Sequence, residues 1–168
     1  MKINKITKPV LYLGLVSFFT DFASEMLYPI TPLFLTSILG ASMAAVGIVE
    51  GIAEITAGLL KGYFGNLSDK LGKRSVFVMV GYGLSGIIKP IPGVFVNFYS
   101  VLISRVTDRI GKGIRTAPRD ALLASYAEGN TGAIFGFHRA MDTFGAVVGP
   151  LIALLILYFI PDGYKTIY

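Results

Sequence analysis

The sequence predicts an all-α membrane protein, a bundle of helices that cross a lipid bilayer. Of its 168 residues, 54% are hydrophobic and 15% are charged, whereas soluble domains average about 45–50% apolar and about 25% charged residues. Charges are few in several stretches that match or exceed the roughly 20 residues that a helix needs to cross the hydrocarbon layer. The lack of cysteine and the single histidine exclude a disulfide scaffold, a thiolate metal site and a histidine-rich zinc site.

Five stretches with few charges predict five transmembrane helices, at residues 10–39, 44–64, 75–95, 97–118 and 132–160. The first stretch is too long for the apolar part of a signal peptide and ends without a clean cleavage site, so we expect it to remain uncleaved. Pro29 and Pro32 should bend its far end, because proline cannot donate a helical backbone hydrogen bond. The connections are short and rich in turn-forming residues.

Basic residues predict which ends of the helices face the cytoplasm. They cluster at the amino end and in the second and fourth connections, as Lys2, Lys5, Lys8, Lys70, Lys73, Arg74, Arg115 and Arg119. The first and third connections carry no charge. Cytoplasmic loops hold an excess of lysine and arginine in membrane proteins, so the amino terminus is predicted to be cytoplasmic.

The second connection, residues 65–74, carries a spaced pattern of glycine, acid and base. Its defining residues are Gly65, Leu67, Asp69, Lys70, Gly72, Lys73 and Arg74. Asp69 is predicted to stand just before the third helix, where a carboxylate caps exposed N–H groups and meets the positive end of the helix dipole. The alternative is a generic basic turn. The pattern resembles the signature loop of the major facilitator superfamily, Gly-x-Leu-x-Asp-basic-x-Gly-basic-basic, and this resemblance implies a gating role.

Two further patterns resemble motifs of the same superfamily. Arg105, Asp108, Arg109 and Gly111 match the spacing of the fourth-helix motif Arg-x-x-Gln-Gly-x-Gly, with Asp108 in place of glutamine and Arg109 in place of glycine. Gly145, Gly149 and Pro150 resemble the fifth-helix motif of many antiporters. The alternative for this second pattern is a small-residue packing face that lets two helices touch.

Residues 21–29 and 111–120 resemble one bacterial branch of the superfamily, for which we know no firm substrate class. The resemblance extends over nearly the whole chain. It implies a major-facilitator-type transmembrane helical bundle in a bacterial inner membrane, with five of the twelve expected helices. The transport site of such proteins forms between two halves, so we expect residues 1–168 to be a partial amino-terminal domain. A missing carboxyl-terminal half or a second chain would complete it, and the chain alone is expected to show no uptake above empty vesicles.

Charged residues within the predicted helices are the candidates for substrate binding or ion coupling. An ionisable group inside a membrane helix costs at least about 2.5 kcal/mol, so it usually faces a cavity or a partner. The candidates are Asp21, Glu25, Glu54, Arg105, Asp108, Arg109, Lys112 and Asp142. Acids and bases nearly balance, which suggests mutual pairing, and static salt bridges between helices are the alternative to a functional role. His138 is expected to be a hydrogen-bonding residue near a helix end.

These features predict a secondary active transporter of a small solute, coupled to protons or another ion and working by alternating access. No catalytic residue, cofactor, metal or nucleic-acid partner is predicted. Substrate charge stays open, because the basic fourth helix suits an anion and the acids of the first two helices suit a cation. The alternative is a membrane-embedded enzyme or a non-transporting helical receptor. Such an enzyme would need convergent His, Cys or Ser–base groups, which the sequence lacks.

Overall fold

Long helices dominate the protein. The computed structural model describes residues 6–127, 129–160 and 163–168, and these residues include no β-strand. The prediction on Lys2 and Lys5 falls outside them. The helices are α1 (Lys8–Leu27), α2 (Ile30–Leu33), α3 (Met43–Leu71), α4 (Arg74–Ile88), α5 (Ile91–Val94), α6 (Phe98–Ser125), α7 (Thr131–Phe159) and α8 (Tyr164–Ile167). The five long ones, α1, α3, α4, α6 and α7, form the predicted all-α membrane bundle.

Local sequence signals explain where several helices begin and end. Ser42 accepts a hydrogen bond from the Ala45 N–H at 3.2 Å at the start of α3. Asn97 accepts one from the Ser100 N–H at 2.8 Å at the start of α6. Both are side chains that commonly satisfy the free N–H groups of a first helical turn. Each cap therefore helps to determine the residue at which its long helix begins.

The first predicted helix is interrupted at its far end. α1 ends at Leu27, and the short α2 follows from Ile30. A single π-helical turn then covers Phe34–Ile38. The interruption coincides with Pro29, which lacks the N–H group that a continuous helix would need. The bend predicted from Pro29 and Pro32 is thus present as a break in the helix.

Glycines on α7 allow its close contact with α1. A Cβ atom added to Gly145 would lie 2.6 Å from the Phe18 carbonyl oxygen, and one added to Gly149 would lie 2.5 Å from the Phe22 carbonyl oxygen. Real Cβ atoms do not approach backbone oxygens so closely, so only glycine fits. Packing of small residues is a common way for membrane helices to associate. These contacts explain Gly145 and Gly149 of the fifth-helix motif as residues that let α7 pack closely on α1.

The remaining helices gather around α6. Gly81 of α4 and Gly111 of α6 face each other, because a Cβ added to either would lie 2.6 Å from the carbonyl oxygen of the other. A Cβ added to Gly113 would lie 2.7 Å from the Leu60 Cβ of α3. α6 is therefore held between α3 and α4, while α1 and α7 form a second closely packed pair.

The distribution of apolar side chains is that of a membrane protein. Large apolar residues lie on the outside of the long helices, among them Phe19, Leu59, Ile87 and Tyr158. Within the described residues, four helical stretches are long and apolar enough to cross a membrane: Lys8–Ile38, Met43–Leu71, Arg74–Val94 and Thr131–Phe159. The fifth long helix, α6, instead buries charged residues, including Arg105, Asp108 and Arg115. Charged groups of α6 therefore lie inside the bundle, and many large apolar side chains lie on its outside.

Candidate functional site

Charged side chains of α6 meet opposite charges from the four other long helices or their ends. We call this set the α6 charge cluster. Its members on α6 are Arg105, Asp108, Arg109, Arg115 and Arg119, and their partners are Glu50 and Glu54 of α3, Lys89 at the end of α4, Asp21 of α1 and Asp142 of α7. α6 is thus the electrostatic centre of the bundle.

Toward the amino end of α6, the ion pairs are short. Arg105 donates from Nε to Glu50 Oε1 at 2.8 Å and from Nη2 to Glu50 Oε2 at 2.6 Å. Lys89 Nζ donates to Asp108 Oδ1 at 2.8 Å and to the Ser85 carbonyl oxygen at 3.3 Å. Charge-assisted hydrogen bonds of this length are the strong ones, and a two-bond arginine–carboxylate contact also fixes geometry. These pairs hold α3 and α4 on α6.

Asp108 is also one of the two departures from the fourth-helix motif, and the structure supplies its partner. Asp108 and Lys89 expose only 5% and 9% of their side chains. A buried charge without a partner is costly. The Asp108 carboxylate, in place of the glutamine of the motif, therefore neutralises the buried charge of Lys89. Lys89 was not selected as a site residue from the sequence.

Toward the carboxyl end of α6, the ion pairs with the other helices are longer. Arg109 Nε lies 3.5 Å from Glu54 Oε2, Arg115 Nη2 lies 3.6 Å from Asp21 Oδ1, Arg119 Nη1 lies 3.7 Å from Asp142 Oδ2, and His138 Nδ1 lies 3.4 Å from the same Asp142 oxygen. Optimal charge-assisted bonds measure about 2.7–2.9 Å. These groups attract one another without short hydrogen bonds between them.

Buried polar atoms without hydrogen-bond partners concentrate in the same region. Within the described part of the chain, they are Tyr82 Oη, Arg109 Nε, Arg115 Nε, His138 Nε2 and Asp142 Oδ1. Four of the five belong to the longer ion pairs. The fifth is on Tyr82, whose ring lies 4.6 Å from the Arg115 guanidinium. Most buried polar groups in proteins are hydrogen-bonded, so this half of the cluster has unused bonding capacity.

The predicted residues Glu25 and Lys112 make no ion pair within the described residues. Lys112 lines an open groove of about 250 Å³ between α3 and α6, together with Glu54, Lys61 and Thr116. The Glu54 side chain is 67% exposed. This groove therefore places Lys61 and Lys112 near Glu54, a member of the α6 charge cluster.

Two predictions about the fourth connection are wrong. Arg115 and Arg119 were assigned to the fourth connection, but both lie within α6, which continues through Pro118 to Ser125. Arg115 is 2% exposed. A signal was available, because charged residues on α6 recur every three or four positions up to Arg119, as on one helix face.

His138 was expected near a helix end, but it lies two turns inside α7 and is 3% exposed. Glu50 was not selected as a candidate from the sequence, and it forms the shortest ion pair of the cluster. Its spacing of four residues from Glu54 puts both on one face of α3, and this face meets α6.

The signature loop has a different arrangement from the predicted one. Asp69 lies in the last turn of α3, not before α4, and it accepts hydrogen bonds from Arg74 Nε at 3.0 Å and Nη2 at 2.8 Å. Lys73 precedes α4 without capping it. Gly72 ends α3 with φ of 64°, a conformation that glycine adopts readily. Gly65 approaches α6, since an added Cβ would lie 3.0 Å from the Ala117 Cβ.

The fold and its buried charges define an integral membrane helical protein. The sequence profile of the Major Facilitator Superfamily matches residues 13–165. The chain belongs to this superfamily, as the signature loop predicted.

Curated relatives agree with this membership. The chain is 37% identical over 164 residues to an uncharacterised MFS-type transporter of Methanocaldococcus jannaschii, covering 98% of this chain and 41% of the relative. It is 32% identical over 153 residues to an uncharacterised protein of Mycobacterium bovis, with coverage of 90% and 37%. It is 25% identical over 138 residues to the uncharacterised MFS-type transporter YqjV of Bacillus subtilis, with coverage of 81% and 33%. The chain thus spans about two fifths of the length of such relatives.

Proposed function

We propose that this chain forms one wall of a secondary active transporter for a small solute, coupled to protons or another ion. A second half, from further residues of a longer protein or from a second chain, would supply the opposing wall. The observation that carries the proposal is the division of the α6 charge cluster into short and long ion pairs. Transport then proceeds by rocking of two halves around a site near the membrane midplane, without covalent chemistry.

The longer ion pairs suit carboxylates that gain or lose a proton or a partner during transport. Arg109, Arg115 and Arg119 each keep a carboxylate within 3.5–3.7 Å, so the carboxylate stays attracted but is not locked by two short bonds. A proton or a substrate charge competes with such a contact more easily than with the Arg105–Glu50 contact. The amino-end pairs therefore act as structural supports, and the carboxyl-end pairs bind ions or substrate.

The depth at which the short ion pairs give way to the long ones along α6 supports the same assignment of roles. Arg109 is eleven residues from the start of α6, which at 1.5 Å per residue is about 16 Å along the helix. The long pairs thus begin near the middle of a helix that crosses the bilayer. Secondary transporters place substrate and coupling ions near that depth.

Uptake of a panel of small solutes into vesicles, with and without an imposed proton gradient, tests the proposal on a protein extended to the length of its relatives. We expect gradient-dependent uptake of at least one solute. Neutralising one of Asp21, Glu54 and Asp142, as Asp21→Asn, Glu54→Gln or Asp142→Asn, should abolish the pH dependence.

Counterflow in the same vesicles tests whether the protein exchanges one solute for another, which the fifth-helix resemblance to antiporters supports.

Arg139→Gln is the matched control for the three neutral variants. Arg139 is exposed on α7, so this substitution should leave the pH profile of transport unchanged. If all three neutral variants keep the profile of the parent, the coupling group lies outside the α6 charge cluster.

The signature loop is proposed to control movement between the two halves. Asp69→Asn should impair transport more than Lys70→Gln, because Asp69 joins α3 to the first residue of α4 through Arg74, whereas Lys70 is exposed. Initial uptake rates at equal expression measure the difference. Equal rates for Asp69→Asn and the parent would contradict a gating role.

The amino end and residues 65–74 are proposed to face the cytoplasm. Lys70, Lys73 and Arg74 lie at this end of the bundle, and the first connection, residues 40–42, is uncharged. Because the chain has no cysteine, single cysteines can be placed at the exposed positions Asn66 and Gly40. An impermeant thiol reagent added outside intact cells should label only the cysteine at position 40. Labelling only at position 66 would reverse the orientation.

A further inference from the structure

His138 and Asp142 form a buried pair that the sequence analysis did not recognise. They are one turn apart on α7, and His138 Nδ1 lies 3.4 Å from Asp142 Oδ2. Both residues are more than nine-tenths buried, with 3% and 7% of their surface exposed. The pair begins seven residues into α7, about 11 Å from the start of the helix, so it lies within the membrane-spanning part.

We propose that His138 and Asp142 together bind one exchangeable proton. Two observations carry the proposal: the contact between the two residues, and the buried atoms Nε2 of His138 and Oδ1 of Asp142, neither of which has a hydrogen-bond partner among the residues that the structure describes. The use of this proton in transport rests on the proposed function, whereas the existence of the site does not.

The unpartnered Nε2 atom indicates the state of the imidazole in this conformation. A neutral imidazole carries one N–H and one lone pair, and an imidazolium carries two N–H donors. Asp142 lies beside Nδ1, so the N–H of the neutral ring belongs on that nitrogen. A buried N–H without an acceptor is costly. Nε2 therefore carries the lone pair here, and the proton that binds to it from bulk water needs a new water or acceptor beside it.

Groups on the neighbouring helices connect this proton to the rest of the cluster. Arg119 Nη1 of α6 lies 3.7 Å from Asp142 Oδ2 and donates to Ser17 Oγ of α1 at 3.3 Å. Asp142 thus has two positively chargeable neighbours near one oxygen. When His138 gains its proton, its attraction for Asp142 increases, and Arg119 is more easily released toward Asp120, whose Oδ1 it contacts at 3.0 Å.

From the packed helices, Asp21 of α1 acts electrostatically on Asp142. Lys112 and Arg115 of α6 in turn act on Asp21, and the Tyr82 ring of α4 lies 4.6 Å from the Arg115 guanidinium. Asp21 lies 3.6 Å from Arg115, so its charge is largely opposed by that arginine. Arg139 follows His138 on α7 but is exposed. The Asp142 carboxylate is consequently the principal negative charge in direct contact with the imidazole.

The single histidine of the sequence makes the site directly observable. The full chain, labelled with ¹⁵N-histidine and placed in lipid nanodiscs, gives imidazole NMR signals from position 138 alone. A titration from about pH 5 to pH 8, the range in which histidine changes charge, should show the Nδ1–H neutral form converting to imidazolium. In Asp142→Asn a smaller fraction of the ring should be imidazolium at the same pH, because a nearby carboxylate stabilises the charged ring.

The control variants separate a local charge effect from a general disturbance. Arg139→Gln should leave the conversion unchanged, and Asp142→Glu should restore it toward the parent. A neutral form protonated on Nε2 in the parent, or the same conversion in Asp142→Asn as in the parent, would overturn the proposal. The parent measurement decides the matter even if Asp142→Asn does not fold. An Asp142-dependent conversion combined with pH-independent transport would support the proton site and reject its coupling role.

Discussion

Replacing Gly149 by valine is expected to prevent close packing of α1 against α7 and to reduce the amount of folded protein. A Cβ at this position would lie 2.5 Å from the Phe22 carbonyl oxygen and 2.9 Å from the Met26 nitrogen. Both atoms belong to backbone, so no flexible side chain can move aside. Overpacking costs about 1–3 kcal/mol and occasionally more, which is a large part of the stability of a typical domain.

Gly136→Val is the matched control for this prediction. Gly136 lies on the same helix, and a Cβ added there has no atom within 4 Å. Thermal unfolding in detergent, followed by the monodisperse fraction on size-exclusion chromatography, should show a large loss for Gly149→Val and little change for Gly136→Val. Equal stability of the two variants would show that the α1–α7 contact tolerates a larger residue.

Replacing Asp108 by leucine is expected to be strongly destabilising because it leaves Lys89 buried without its partner. Removing one member of a buried ion pair typically costs about 3–5 kcal/mol, whereas replacing both members by apolar residues is often nearly neutral. The double variant Lys89→Met with Asp108→Leu should therefore recover most of the stability lost in the single variant. Thermal unfolding of the parent, the single variant and the double variant measures this recovery.

The exposed ion pair of the signature loop provides the contrast. Arg74 and Asp69 expose 38% and 57% of their side chains, and exposed pairs contribute about 0–1 kcal/mol. Asp69→Asn should then unfold close to the parent temperature, although its transport is expected to be impaired. If the double variant of Lys89 and Asp108 is no more stable than Asp108→Leu alone, the ion pair does not account for the loss.

For the signature loop, the sequence predicted the family correctly and the local geometry incorrectly. Its residues identified the superfamily, which the match over residues 13–165 confirms. Its geometry was predicted incorrectly, because Asp69 bonds to the Arg74 side chain and does not cap α4. Sequence order shows that an acid stands near a helix start. It does not show whether the preceding helix continues through that acid, as α3 does to Leu71.

The end of α6 was also misplaced. The predicted helix ended at residue 118, but α6 continues through Pro118 to Ser125, although proline interrupts the helical hydrogen-bond pattern. Arg115 and Arg119 were counted as orientation signals of the fourth connection. In the structure they contact Asp21 and Asp142, so they belong to the α6 charge cluster.

Apolar stretches and motif spacing were enough to establish the class of this protein, because burial in lipid demands long apolar stretches and a spaced motif can be recognised from residue order. The sequence also showed that acids and bases nearly balance within the helices. The packed helices were needed to show which charges meet, such as Lys89 with Asp108 and His138 with Asp142. The physical reason is that pairing depends on the rotation and depth of each helix, and these are set by contacts such as Gly81 against Gly111. Periodicity along one helix cannot specify the partner on another.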